Sequence, residues 1–235
     1  MPYVRRWPVL SVVLGVAALL LGLVAADTTL LQPHGLALDV EIATDVRSAL
    51  LTPVMLGISF LASPVVACVA LVLWPGWLVW RRRPLAAAAT FLVVVVGWLA
   101  AFGVKLLVAR PRPPIDVVHS LAPETGSDSY PSGHVAFAFS IAVAAWFLAR
   151  GTRWSRPVAV LGAGFVALVA FSRLYLGVHY LGDVVGSVLV SGAAIVLLTG
   201  LWHRFVEPAL LARAWVAGRE PEAAGRGALG RGTSA

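Results

Sequence analysis

Charge is scarce in this chain. Of its 235 residues, 12% are Asp, Glu, Lys or Arg, against 60% hydrophobic ones. A soluble domain carries roughly 25% charged residues. With a mean hydropathy of +0.89, this scarcity excludes an ordinary soluble globular domain and leaves a polytopic membrane protein. Cysteine is nearly absent too. The single one, Cys68, rules out an intrachain disulfide framework and a cysteine metal site. It lies in an apolar run and reads as an inert core or lipid-facing residue. Lysine occurs once, at Lys105, among 18 basic residues set against 11 acids. A net charge of +7 can attract nucleic acid, but these cations flank apolar runs. That pattern speaks for membrane topology and against a nucleic-acid partner.

The chain instead contains six apolar runs, at about 8–26, 54–80, 85–108, 134–149, 157–177 and 183–203. A helix needs about 20 residues to cross the hydrocarbon layer. The expected fold is therefore all-α, with six transmembrane helices forming one membrane domain over residues 1–215. The fourth run is short, and it can span only if its polar start lies at the interface or in a protein-lined cavity. Arg5 and Arg6, Arg81 to Arg83, Arg150, Arg153 and Arg156, and the arginines from Arg204 onward fall on one side of a six-span chain. The positive-inside rule makes that side cytoplasmic, with both termini there. The opposite loops carry Asp27, Asp39, Glu41, Asp45, Asp116, Glu124 and Asp128. The cations that break the pattern are Arg47, Lys105, Arg110, Arg112 and Arg173. Exceptions to a topology rule are candidates for function.

Three segments have more local readings. Arg5-Arg6, an apolar stretch and Val24-Ala25-Ala26 resemble a cleavable signal peptide, but the stretch is long for a signal core and cleavage would leave an odd number of spans. Retention as an anchor is the expectation. Residues 36–51 mix apolar and acidic side chains at near-helical spacing, compatible with a short interfacial helix or with a loop. The tail over 216–235, rich in Gly, Ala, Arg and Glu, is expected to be disordered and cytoplasmic. Trp74, Trp77, Trp80, Trp154 and Trp202 lie near the predicted cytoplasmic boundary and read as interface anchors. His34, His119 and His203 lack partner spacing and read as loop or boundary residues.

Three polar clusters fall on the outer side. Lys105 and Arg112 lie seven apart, with Pro111 and Pro113 stopping any helix there. Arginine grips two phosphate oxygens with its planar fork, while lysine acts as a point charge. Two cations snorkelling to headgroups would look the same in isolation. In Pro131-Ser132-Gly133-His134, Ser132 suits an N-cap and Gly133 lets backbone approach a ligand. The helix start offers free N–H groups to an anion. A capped helix with an interfacial histidine is the plainer alternative. The third cluster is Ser172-Arg173, His179 and Asp183. Four residues apart on a helix, His179 and Asp183 share a face, and a carboxylate there orients an imidazole and fixes its tautomer. Asp183 is the only acid between Asp128 and Glu207. A structural pair closing two helices is the competing reading. Arg110 is a further candidate phosphate contact. Asp116, Glu124 and Asp128 read as solvated loop acids or as a rim around the site.

Taken together, the clusters resemble the signatures of the type 2 phosphatidic acid phosphatase (PAP2) superfamily. These run K-x6-R-P (Lys105, Arg112, Pro113), P-S-G-H (Pro131 to His134) and S-R-x5-H-x3-D (Ser172, Arg173, His179, Asp183). The resemblance covers roughly residues 36–203 and departs from no signature. It implies that His179 is the nucleophile, oriented by Asp183. It implies that His134 protonates the leaving oxygen and then activates water. Lys105, Arg112, Ser132, Gly133 and Arg173 would hold the phosphate, without metal or other cofactor.

The resulting expectation is a lipid phosphatase of the bacterial inner membrane, with its site facing the periplasm or cell exterior. Its partners would be the bilayer and a lipid phosphate or pyrophosphate. Phosphatidic acid, phosphatidylglycerol phosphate and a polyprenyl pyrophosphate are all open as substrates. The rival class is an anion or proton-coupled transporter using the same polar groups. Against it, those groups gather at one face rather than along a midplane route. Oligomeric state is not legible in the sequence.

Overall fold

The computed structural model describes residues 1–27, 32–122, 126 and 128–210, leaving aside the side chains of 32–34. Glu124, the side chain of His34 and the 216–235 tail lie outside the described residues. All regular structure among them is helical apart from one isolated bridge, Pro111 with Asp128.

Helix α1 spans Trp7–Ala26, with Pro8 in its first turn, where a missing N–H costs nothing. A short helix, α2, spans Gln32–Glu41 and runs into a π-helical turn over Ile42–Val46. The ambiguous 36–51 segment is thus helical as far as Val46 and irregular from Arg47 to Leu50. The second apolar run is broken. Helix α3 covers Leu51–Leu61 and α4 covers Pro64–Trp80, bent by 47°. Ser63 caps α4 by accepting the Val66 N–H, and Pro64 disfavours helical backbone in the residue before it.

Helix α5 spans Pro84–Val108 and ends on Ala109, in the left-handed region at φ 46°. A four-residue turn of helix, α6 (Ile115–Val118), follows the prolines. Then come α7 (Gly133–Ala149), α8 (Ser155–Tyr175) and α9 (Leu181–Leu201). Helices α1, α5, α8 and α9 are each long and apolar enough to cross a membrane, and the bent α3–α4 pair makes a fifth candidate. At 17 residues α7 is shorter. Its polar start is buried in protein, with Pro131 and Ser132 enclosed, the circumstance in which a short span is tolerated.

Helix α9 packs on α1, α5 and α7, and α7 lies between α5 and α8. The core comprises Val93, Val94, Val135, Phe137, Ala144, Val169 and Ile195 among others. Small residues let the helices approach. At Gly97 of α5 a Cβ would collide with Ser140 Oγ of α7, and Ser191 Oγ of α9 donates to the Gly97 carbonyl at 2.8 Å. The outer surface is apolar: Leu106 is 83% exposed and Leu161 72%. Cys68 is exposed on this surface. Trp77, Trp80 and Trp154 are exposed as well, with Arg81 over the Trp77 ring and Arg153 over Trp154.

Two contacts tie the segments between helices to the bundle. Arg47 donates Nε to the Tyr175 carbonyl and Nη1 to those of Val118 and His119, each at 2.8 Å. Gly177, at φ 68°, makes room for it, since a Cβ there would lie 2.7 Å from Arg47 Nη2. Tyr130 is fully buried and donates its hydroxyl to the Ala18 carbonyl of α1. Its ring fills a notch between Gly22 of α1 and Gly186 of α9 that leaves no space for a Cβ at either.

Candidate active site

The C-terminal ends of α5 and α8 and the N-terminal ends of α7 and α9 meet at one end of the bundle, and they carry the three clusters there. Lys105 is in the last turn of α5 and donates Nζ to the Asp128 carbonyl at 2.6 Å. The chain then turns at Ala109, and Pro111 pairs with Asp128 as an antiparallel bridge. Arg112 leaves this strand-like stretch, donating Nε to the Gly126 carbonyl at 3.1 Å and Nη1 to the Val178 carbonyl at 2.9 Å. The same Nη1 lies 3.4 Å from His179 Nε2.

His179 sits between α8 and α9, 1% exposed. Its Nδ1 lies 3.3 Å from Asp183 Oδ2 in the first turn of α9. The Tyr180 N–H donates to the same oxygen at 2.9 Å and fixes the carboxylate against the helix start. Burial pushes the imidazole down to about 3, assisted by the positive charges of Arg173 and Arg112 and opposed by Asp183. At neutral pH the ring is therefore neutral. With Nδ1–H directed at Asp183, the lone pair is on Nε2. That is the atom facing Arg112.

Ser132 precedes α7 and is fully buried, but its hydroxyl makes no cap bond. The expected capping role is replaced. The Ser132 carbonyl accepts from Ser187 Oγ at 3.0 Å, and its Oγ has no hydrogen-bond partner among the described residues. A buried hydroxyl without a partner is costly, so it has hydrogen-bonding capacity to offer a ligand. Gly133 and His134 open α7 and are partly accessible. Arg173, 1% exposed, ends α8 and donates Nη1 to Ser59 Oγ of α3. Arg112, Pro113, Ser120, Gly126, Gly177 and Val178 help line a cavity of about 710 Å³ beside Arg112.

Direct contacts thus join Arg112, His179 and Asp183. Lys105, Ser132, Gly133, His134 and Arg173 are placed at the same end of the bundle, and the Ser132 N–H donates to the Asp183 carbonyl at 3.4 Å. Arg110, a candidate phosphate contact in the sequence, reaches Asp183. It is 3% exposed and donates Nη1 to Asp183 Oδ1 at 2.6 Å. Ser129, which the sequence did not single out, donates its hydroxyl to Asp183 Oδ2 and lies 3.4 Å from His179 Nδ1. Asp39, one of the acids of the outer segments, is fully buried on α2, and neither of its oxygens has a partner among the described residues.

An apolar helical bundle that gathers a buried His–Asp pair and guanidinium groups at one end has the build of a membrane phosphatase. The PAP2 superfamily profile matches residues 84–207, and the chain belongs to that superfamily. It is 30% identical over 151 residues to undecaprenyl-diphosphatase BcrC of Bacillus subtilis (strain 168), covering 62% of this chain and 72% of that one. Its fold is similar to the crystal structure of a transmembrane PAP2-type phosphatidylglycerolphosphate phosphatase from Bacillus subtilis. The TM-score is 0.71 at 26% identity, over 83% of this chain and 96% of the other. A fold likeness to Aquifex aeolicus LpxE has a TM-score of 0.53 at 24% identity, over 69% and 90%. Its relatives are lipid phosphatases, and the chain is a membrane protein of that family.

Proposed function

We propose that the protein hydrolyses a lipid phosphate or pyrophosphate through a covalent phosphohistidine on His179. The observation that carries this reading is the clasp on the imidazole: Asp183 at Nδ1 and Arg112 beside Nε2. Nε2 attacks phosphorus and the bond to the leaving oxygen breaks. His134 supplies the proton to that oxygen, then takes one from the water that cleaves the N–P bond. Asp183 stabilises the imidazolium character that develops as Nε2 bonds to phosphorus. Lys105, Arg112 and Arg173 bear the charge of the equatorial oxygens, joined by Ser132 and the N–H groups at the Gly133 helix start. These cations serve in place of a metal.

A polyprenyl pyrophosphate is the first substrate we assign, because the curated relative at 30% identity is named an undecaprenyl-diphosphatase. Phosphatidylglycerol phosphate is the second, from the name of the structural relative. We place six spans in the membrane, counting α3–α4 as one and α7 as a short one. Both termini are then cytoplasmic and the site opens on the outer face.

Purified protein in detergent, given each lipid with a chelator present, is expected to release phosphate. Loss of release on chelation would overturn the metal-free mechanism. His179→Ala is expected to lose at least about 10³-fold in kcat and all acid-labile phosphate labelling. Near-normal turnover in that variant would remove His179 as nucleophile. His134→Ala is expected to turn over slowly with KM largely kept.

A further inference from the structure

Asp183 is held not only by His179 but by two residues outside the three signatures, Arg110 at Oδ1 and Ser129 at Oδ2. We infer that Arg110, seconded by Ser129, is a positioning residue for the reaction: it keeps the Asp183 carboxylate ionised and aimed at His179 Nδ1. This rests on the reading of His179 as the nucleophile.

A carboxylate offers about four lone-pair directions on two oxygens. Oδ1 of Asp183 accepts from Arg110 Nη1 at 2.6 Å. Oδ2 accepts from Ser129 Oγ, from the Tyr180 N–H and from the imidazole. The group is fully buried. Of these donors only Arg110 carries a full positive charge at all working pH values. Without it, the buried carboxylate would be left with neutral donors. Taking up a proton would then be the cheaper state. A protonated Asp183 no longer selects the Nδ1–H tautomer, and Nε2 loses the lone pair it needs for attack.

The guanidinium is itself fixed. Its centre lies 3.9 Å from the Tyr180 ring centroid, and Tyr180 is the residue whose N–H caps onto Asp183. The Arg110 carbonyl accepts from the Ser129 N–H at 2.6 Å, so Arg110 and Ser129 lie opposite each other across the bridge at Pro111 and Asp128. One backbone pairing therefore sets the donors to both Asp183 oxygens. Arg110 and Arg112, two apart on extended chain, reach the two members of the dyad: Arg110 the carboxylate, Arg112 the imidazole. Lys105, Arg112 and Asp39 also act on Asp183 through their charges, and Arg173 and Arg112 on His179.

The test compares wild type with Arg110→Gln, Arg110→Lys and Ser129→Ala, each in detergent with its melting curve. The assays follow steady-state hydrolysis of a polyprenyl pyrophosphate and of phosphatidylglycerol phosphate. Arg110→Gln is expected to lower kcat about 10- to 100-fold with KM within about threefold. Arg110→Lys should recover most of that loss, and Ser129→Ala should cost less than Arg110→Gln. A raised KM with kcat kept would make Arg110 a substrate contact and overturn the proposal, as would unchanged kinetics in Arg110→Gln.

Histidine ¹⁵N spectra read the same point without turnover. His179 should be the Nδ1–H tautomer in wild type and a mixture or the other tautomer in Arg110→Gln. An unchanged tautomer refutes the positioning role. If Arg110→Gln does not fold, Arg110→Lys and Ser129→Ala carry both readouts. A wild-type protein that hydrolyses neither lipid but shows the tautomer change would sink the phosphatase reading and leave the positioning role intact.

Discussion

At the scale of single residues, the state of His179 has a measurable cost. Its folded-state value near 3 lies below the ordinary 6.5. Between those values the unfolded chain binds a proton that the folded one refuses. The associated stability is fully present above about pH 6.5 and is lost as pH falls toward 3. Asp39 titrates in the opposite sense over the same window, so the His179 contribution is read as a difference: relative to His179→Asn, wild type is expected to lose stability as pH drops from 6.5 to 4, by at most about 1.36 kcal/mol per pH unit. Paired melting series of the two proteins check this. The residue types of the proposed site were legible because so few polar groups interrupt the apolar runs. Arg110 was visible as a cation, but its role was not. The spacing Arg-Pro-Arg permits both side chains to reach the same region. Only the bridge to Asp128 and the approach of α9 decide that one meets a carboxylate. Ser129 gave no signal beyond standing next to the second cluster.

At the scale of elements, α2 shows how tertiary cover overrides local pattern. Its acids look like those of a solvated segment, yet Asp39 is enclosed. Burial raises its carboxyl to about 7, helped by the negative charge of Asp183 and opposed by Arg110 and Arg47. The sign is opposite to that of His179. The contribution is favourable below the unfolded value of 3.8 and is lost as pH rises through about 7. Asp39→Asn is thus expected to match wild type near pH 4 and to exceed it at pH 8 by roughly 1–3 kcal/mol. Melting curves at the two pH values check this, and equal stability at both would refute it. The break between α3 and α4 was equally hard to foresee. Ser63-Pro64 marks a helix start, but it stands inside a continuous apolar run whose length alone suggested one rod.

At the scale of the whole molecule, the apolar runs gave the order of the helices, with α1, α5, α7, α8 and α9 each on one run and the second run split into α3 and α4, because helix length and hydropathy are set locally. What they could not give is which helices touch. The proposed orientation predicts a sidedness. Right-side-out membrane vesicles should hydrolyse a water-soluble short-chain lipid phosphate added outside, and inside-out vesicles should do so only after permeabilisation. The reverse result would invert the topology. Contact between α1 and α9 carries a further consequence through Tyr130, which stands directly before Pro131-Ser132-Gly133-His134. Its ring is seated in a notch made by the first helix and the last, and its hydroxyl is held by the first. The segment with the pattern of a cleavable leader is therefore half of the mould in which this loop is cast. During biosynthesis α1 emerges from the ribosome long before α9, so the loop between them must wait for both. A chain halted after α8 would carry Lys105, Arg112 and His134 with only the α1 half of the notch to seat Tyr130. Competence to act on lipid would come with the arrival of α9.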